Sequence, residues 1–550
     1  MKSFALPAGA LLALGLPLPA QTAYGTLNGE KANDRFGGAV AGLGDLNLDG
    51  RPDFAVGATE DGSAFSPAEG YVRVYSGASS TALFTLHGTL ASEQFGADVE
   101  ACPDLNGDGR PEVLVGAPGS GPAVEGRVFV HSGLNGALLL TLAGPQANDQ
   151  VGACVVSIGD VNLDGKADIL AGGPAASSGG TQRGVALVYS GASGSVLYTI
   201  SGTNTNQRLG QSVAGVGDVN ADGRPDFLVG SLTGGARLYS GNGAVVLRSY
   251  AANGSDRFGA SVCALSDVNG DGVGEYAIGG TQDGSVFSLD TGYVSVYSGA
   301  SGALLYTVSG LGIGDRFGCS LAAGGDLNGD GKEDLLVAAD QFSISGSGYV
   351  QALSGPSGAV IYSFSGAGSG QRFGMGLDGL GDLNADGLTE LAIGVPGRSP
   401  NFSLAGQVEL WSRPAGCPQP TSYCTALPNS TGGGALMSFA GSTSIAANNF
   451  QLLTSGAPAN KLALYAYSAA QASTPAGNGI LCLGSPFVRL PAITTTSTGE
   501  AGLLLNFGLL PAAGPIQAGD TRHFVLWYRD PAAGGANFNF SNGLSVQFCP

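Results

Sequence analysis

The chain has 550 residues, 95 of them glycine, with only 12% charged and a formal net charge of −19. That excess of negative charge makes nucleic acid and anionic membrane surfaces poor partners. The length allows two to four domains. No long run of helix-forming residues occurs; short Val/Leu/Ile/Tyr segments alternate with Gly, Ser, Asn and Asp clusters. An all-β fold is the class that fits.

Residues 1–20 read as an export signal, with Lys2 as the positive start, Phe4 to Leu18 as the apolar stretch and Leu18-Pro19-Ala20 as the cleavage site. The apolar stretch is short and broken by Gly and Pro, and Gln21 rather than Cys follows it, so the expected product is secreted or held at the cell surface, without membrane insertion.

From here one unit recurs seven times. An aromatic or aliphatic residue followed by Gly opens each: Phe36-Gly37, Phe95-Gly96, Val151-Gly152, Leu209-Gly210, Phe258-Gly259, Phe317-Gly318 and Phe373-Gly374. Eight residues after that Gly, an acidic loop begins, at Asp45, Asp104, Asp160, Asp218, Asp267, Asp326 and Asp382. The steps between loops are 59, 56, 58, 49, 59 and 56 residues. In the first unit, four strands are predicted at about Gly38–Leu43, Asp53–Ala58, Tyr71–Ser76 and Ala82–His87, the third ending in a recurring Tyr-Ser-Gly hairpin turn. Four short strands in such a unit make one blade of a β-propeller, in which radial stacking protects the sheet edges. The seventh unit stops at its third strand, Gln407–Trp411, whereas Tyr24–Gly29 repeats the fourth-strand pattern of Leu83–Gly88. The N-terminal strand is therefore expected to complete blade seven and close the ring.

The Phe-Gly start, the Asp-x-Asn-x-Asp-Gly-x-x-Asp/Glu loop and Gly116-Ala117-Pro118 resemble the FG-GAP repeats of integrin α-subunit propellers. Similar repeats occur in a glycosylphosphatidylinositol-specific phospholipase D and in secreted bacterial proteins. The resemblance covers roughly residues 24–413 and implies a seven-bladed propeller with calcium loops. The second half of the signature is degenerate, as at Val337-Ala338-Ala339-Asp340.

Each loop offers oxygen ligands at positions 1, 3, 5 and 9, a backbone carbonyl at 7, and Gly at 6 for a sharp turn. The candidate ligands are Asp45, Asn47, Asp49 and Asp53; Asp104, Asn106, Asp108 and Glu112; Asp160, Asn162, Asp164 and Asp168; Asp218, Asn220, Asp222 and Asp226. The remaining three sets are Asp267, Asn269, Asp271 and Glu275; Asp326, Asn328, Asp330 and Asp334; Asp382, Asn384, Asp386 and Glu390. Positions 1, 5 and 9 of these loops hold 21 of the 42 acidic residues, and seven Ca²⁺ ions would bring the formal charge from −19 to −5. Magnesium fits less well because it demands a compact octahedron and keeps its waters.

An Arg or Gln precedes each Phe-Gly or its equivalent, as at Arg35, Gln94, Gln150, Arg208, Arg257, Arg316 and Arg372, and is expected to bond neighbouring blades. The three histidines point to structure rather than catalysis: His131 replaces the Tyr of Tyr-Ser-Gly, His87 lies in a fourth strand, and His523 has no evident nucleophile partner. No catalytic residues are assigned. The loops between second and third strands lie on the face opposite the metal loops and vary most, from the long Thr59–Gly70 and Thr281–Gly292 to the short Leu232–Gly235. Recognition is expected there, with Phe65, Phe287, Phe342 and Phe402 as possible contacts.

Residues 415–550 change composition and read as a small β-sandwich-like domain, with strands at Leu462–Tyr467, Gly502–Phe507, His523–Arg529 and Leu544–Phe548. Its four cysteines, Cys417, Cys424, Cys482 and Cys549, suggest two disulfides with three open connectivities. Cys102, Cys154, Cys263 and Cys319 of the repeats are expected to be buried and unpaired. The reading is thus a signal peptide (1–20), a propeller (21–414) and a tail domain (415–550) in a secreted, monomeric calcium-binding scaffold for an extracellular protein or glycan. The alternative is a secreted hydrolase, phospholipase- or glycan-active, that uses the propeller as a platform.

Overall fold

The computed structural model describes residues 22–59, 69–177, 181–252, 256–281, 291–341, 346–385, 387–400, 402–412, 420–440, 443, 450–507, 510, 515–517 and 520–548. The chain divides into two compact units, Met1–Arg413 and Pro414–Pro550.

The first unit is a seven-bladed β-propeller: seven four-stranded antiparallel sheets, six of them built from consecutive strands. In the first blade the strands are Ala39–Gly44, Asp53–Ala58, Tyr71–Tyr75 and Ala82–His87, within a residue of the sequence expectation. The second strand is buried at every residue, because neighbouring blades cover both of its faces; this is why Asp53-Phe54-Ala55-Val56-Gly57-Ala58 reads as a continuous apolar run after its first residue. The outermost strand is half-exposed and carries a mixed pattern.

The seventh sheet takes its outermost strand from the N-terminus. Thr22–Asn28 pairs antiparallel with Gln407–Ser412, with Asn28 opposite Gln407, Leu27 opposite Val408 and Thr26 opposite Glu409. The innermost strands, Ala39–Gly44, Asp98–Cys102, Cys154–Gly159, Leu209–Gly217, Phe258–Leu265, Ser320–Ala323 and Leu377–Gly381, each lie beside the next, and the last lies beside the first. The ring is closed.

The paired glycines of the repeat explain how blades approach. Gly57, in the second strand of blade one, faces the carbonyl of Gly96 from the Phe-Gly of blade two, and a Cβ at Gly57 would fall well inside contact distance of that oxygen. Phe95 is fully packed and its backbone bridges Gly70 of the preceding blade in a parallel register. The degenerate sixth unit has Ala338 in the place of the first glycine, and its Cβ sits close to Gly374.

The second unit is a β-sandwich. One sheet contains Thr421–Tyr423, Gly543–Gln547, Thr521–Arg529, Leu462–Ser468 and Val488–Thr494, with Phe538–Phe540 added beside Thr521–Arg529; a second contains Leu436–Ala440, Gln451–Ser455 and Ala501–Leu504, and Gln471–Ala476 and Gly479–Leu483 form a separate hairpin. Met437 and Leu452 of the second sheet share one core with Tyr465, Tyr467, Phe524, Leu526 and Val546 of the first. The strand expected to reach Phe507 ends at Leu504. Cys424 and Cys482 form a disulfide, while Cys417 and Cys549 lie outside the described residues. Among the described residues, no helix is long and apolar enough to cross a membrane.

Candidate metal centres

Each acidic loop joins the first and second strands of its blade. In the first, the Asp45 carboxylate accepts from the Asp49 and Gly50 amides at 3.1 and 2.9 Å, and Asn47 Oδ1 accepts from the Asp49 amide at 2.8 Å. Asp49 Oδ1 accepts from the Arg51 amide at 3.0 Å. Asp53, at position 9, is fully buried; its Oδ2 accepts from the Leu46 and Asn47 amides at 2.8 and 3.2 Å, and its Oδ1 from the Gly77 amide at 3.1 Å. The same turn recurs at Asp104, Asp160, Asp218, Asp267 and Asp326, where the amide at position 6 donates to the position-1 carboxylate. In the seventh loop Gly387 donates likewise to Asp382, and Glu390 accepts from the Leu383 amide and the Asn384 side chain; Asp386 lies outside the described residues.

Two features of the loop escaped the sequence reading. Position 4 as well as position 6 is left-handed: Leu48 has φ 57°, Leu163 has φ 63°, Ala221 has φ 58° and Ala385 has φ 63°, where the other three units use Gly107, Gly270 and Gly329. Tyr-Ser-Gly is also more than a hairpin turn. Ser76, Ser132, Ser190, Ser240 and Ser298 donate to the position-5 carboxylates Asp49, Asp108, Asp164, Asp222 and Asp271, at 3.0 to 3.2 Å. The following glycine binds position 9, as Gly77 does for Asp53 and Gly191 for Asp168. The recurrence of the motif at a fixed place in the unit was the signal available in the sequence.

Electrostatics divide each loop into an exposed and a buried half. Hydrogen bonding lowers the exposed carboxyls: the Asn47 side chain does so for Asp49, and the Gly109 and Gly272 amides do so for Asp104 and Asp267. Burial raises the position-9 carboxyls of Asp53, Glu112, Asp168, Asp226 and Glu275 against the pull of their backbone donors, and pushes Asp334 up to about 7. A buried carboxylate raised by desolvation gains from a cation brought beside it.

The donor set fits calcium: every candidate side-chain donor is an oxygen, and none of the loops contains His or Cys. In the fifth loop, oxygens of Asp267, Asp271 and Glu275 lie within 4.8 Å of one another. In the second, Glu112 Oε1 accepts from the Leu105 and Asn106 amides.

The loops are also tied to one another through position 7. Lys332 Nζ donates to the Asp267 carbonyl at 2.6 Å, Lys166 Nζ to the Asp104 carbonyl at 3.4 Å, and Arg224 to the Val161 carbonyl, each reaching the loop of the preceding blade. Arg51 lies 3.9 Å from Asp382 across the ring closure. Val273 and Leu388 hold the same position without a charge.

Of the residues before each Phe-Gly or its equivalent, Arg208 bonds Gln182 of the preceding blade, as expected, whereas Arg316 pairs with Asp340 of its own blade at 3.1 Å. His131 is packed edge-on against Phe95, its Nδ1 at 3.0 Å from the Gly136 carbonyl, and burial lowers its pKa. His523 packs against Tyr423 and is likewise lowered by burial. On the opposite face, the Leu232–Gly235 connection is a tight turn held by the Ser231 hydroxyl. Phe402 is half-exposed at 50%, while Phe65, Phe287 and Phe342 lie outside the described residues.

The FG-GAP repeat family matches residues 95–131 and 317–353. Integrin alpha-5 of Xenopus laevis is 30% identical over 217 residues, 36% of this chain and 20% of that protein. Integrin alpha-8 of Mus musculus is 30% identical over 219 residues, again 36% and 20%. The chain thus spans about a fifth of the length of these relatives. A solved structure of BBS1N in complex with ARL6DN aligns over 72% of this chain and 97% of that one, with a TM-score of 0.46 and 10% identity. The propeller thus carries FG-GAP repeats at 95–131 and 317–353 and is similar, over about a third of the chain, to integrin α subunits.

Proposed function

We propose that this protein is an exported, calcium-stabilised scaffold that binds an extracellular protein or glycan without catalysing a reaction. The observation that carries the reading is the repetition, around one ring, of an all-oxygen loop with a buried carboxylate at its ninth position. In each unit the side chains at positions 1, 3, 5 and 9 and the carbonyl at 7 would hold the ion, from Asp45, Asn47, Asp49 and Asp53 in the first to Asp382, Asn384, Asp386 and Glu390 in the seventh. Calcium, when bound, supplies positive charge among three carboxylates that otherwise repel one another. The chain's part is to fix the turn through its own amides and to anchor position 9 in the second strand, so that each ion would clamp the metal face of one blade. A ligand would then meet the opposite face, where the connections differ between blades.

Calorimetry of the mature protein tests the metal. A ligand bound only by the folded state stabilises it by about 2.7 kcal/mol per site at a hundredfold excess over Kd. The midpoint is expected to rise with calcium and fall with chelator; equal midpoints overturn structural calcium. A screen against glycans and extracellular extracts tests the binding role.

A further inference from the structure

Charge is spread unevenly around the ring. Between Asp168 and Asp256 the only carboxylates are Asp218, Asp222 and Asp226, all in the fourth acidic loop, whereas the same stretch holds five arginines. Two of these serve the side of the acidic loops: Arg224 bonds the Val161 carbonyl, and Arg248 donates to the carbonyls of Gly299 and Ala300. The other three, Arg183, Arg208 and Arg237, belong to the opposite half of the junction between blades three and four.

Arg237 shows how this junction differs from its counterparts. It lies two residues before Tyr239 and opposite Val229, and alternate residues of a strand share a face. Tyr239, Val229 and Leu209 pack in one core with Ala186 and Val188 of blade three, so Arg237 faces that blade. In blade one the same place is held by Arg73, which pairs with Glu30 at 2.7 Å and lies 5.4 Å over the Tyr71 ring. By unit alignment, the counterparts of Glu30 and Tyr71 in blade four are Thr203 and Gly235. Asp34, which accepts from the Tyr71 hydroxyl, is replaced by Gln207. Blade four thus has the arginine without the carboxylates or the ring. Among the described residues, Arg237 makes no hydrogen bond or ion pair. A half-buried guanidinium with no acceptor gains from an anion that reaches it.

Arg183 and Arg208 stand beside the 203–207 connection. The Arg183 carbonyl accepts from the Leu209 amide at 3.0 Å, and Arg183 Nε is buried without a hydrogen bond. Arg208 is held by the neutral Gln182 side chain at 3.0 and 3.2 Å, where Arg316, its counterpart in blade six, has Asp340. Thr203, Asn204, Thr205, Asn206 and Thr233 are exposed, and the neighbouring Leu232–Gly235 connection is the shortest of the seven. None of the exposed large apolar side chains lies in these connections.

We propose that this junction is a binding site for an acidic glycan, with Arg237 and Arg183 taking a sugar carboxylate or sulfate. The inference rests on the scaffold reading above and names the ligand class of its opposite face. Guanidinium groups match the oxygens of either anion with paired N–H donors. Exposed hydroxyls and amides suit a polyhydroxylated ligand, whereas a protein anchor needs an apolar pocket. The chain's net negative charge does not oppose this. The acidic loop of blade four lies at the other end of six-residue strands, about 20 Å away. Exposed charges are screened beyond about 8 Å at physiological salt.

The test measures binding of the calcium-loaded full chain to four probes: a hyaluronan oligosaccharide, dextran sulfate, uncharged dextran and poly-L-glutamate. The wild type is expected to bind one or both acidic glycans, more weakly as salt rises, and not dextran; the carboxylated and sulfated probes separate the two anions. R183Q/R237Q is expected to weaken that binding about tenfold or more with calcium-dependent melting unchanged. T203E removes no arginine but supplies the carboxylate that blade one has in Glu30, and is expected to weaken binding as much. It also keeps the test decisive if the double variant does not fold. Undiminished binding in T203E, or no binding of either acidic glycan by the wild type, overturns the site. Binding of poly-L-glutamate alone overturns the glycan in favour of an acidic protein segment. A wild type that binds neither acidic glycan but does bind a neutral ligand from the screen loses this site and keeps the scaffold reading.

Discussion

Lys332 Nζ lies 2.6 Å from the main-chain oxygen of Asp267, so the position-7 side chain of loop six grips the first residue of loop five. A side chain whose own carbonyl is a candidate metal ligand therefore also orients the neighbouring site. Loop five is the one whose carboxylate oxygens converge within 4.8 Å. K332M removes this charge-assisted bond while keeping the aliphatic stem, at an expected cost of about 1–2 kcal/mol. Chemical denaturation in excess calcium measures the cost, and an unchanged midpoint would show that the tie contributes nothing.

The two halves of a loop are expected to respond differently to mutation. D49A removes an exposed oxygen that bonds only within the loop and to Ser76. It should reduce the calcium-dependent rise in melting temperature and change little in chelator. D53A strands the amides of Leu46, Asn47 and Gly77 in a buried setting and should cost about 3 kcal/mol or more even without calcium. Melting curves of both variants, with calcium and with chelator, separate ligand from scaffold.

Blade packing depends on backbone approach at the glycine pairs. G57A puts a methyl against the Gly96 carbonyl, which belongs to the backbone of blade two and cannot rotate away. Overpacking of this kind costs about 1–3 kcal/mol. The unit with Ala338 accommodates its extra carbon, so A338G should be tolerated far better. Urea unfolding of the pair checks the asymmetry.

Recognition on the opposite face is tested at Phe65 and Phe287, which occupy matching places in the long connections of units one and five. F65A/F287A is expected to weaken binding to a ligand recovered from the screen while leaving calcium-dependent melting unchanged. Normal binding by this variant, with loss on removing residues 415–550, would move recognition to the tail domain.

The sequence alone determined the number of blades, the position of every acidic loop and the strand exchange that closes the ring. The first two are legible because they are carried by local contacts: the loop from Asp45 to Asp53 spans nine residues, and sevenfold repetition separates its pattern from chance. The closing strand is legible for a related reason, since Tyr24–Gly29 carries an outer-strand pattern that has no unit of its own. The role of Ser76 lay within the repeat but was hidden, because its partner Asp49 is 27 residues away on another connection.

The central channel, lined by the innermost strands, belonged to the tertiary structure. Asp378 and Gly42 are 336 residues apart, and their contact exists only because the ring closes. Cys154, Cys263 and Cys319 occupy different places in their units, so comparison of repeats treats them as unrelated; the propeller brings all three to one cavity. Repetition reports what each blade does for itself, whereas the channel is made by all seven blades together.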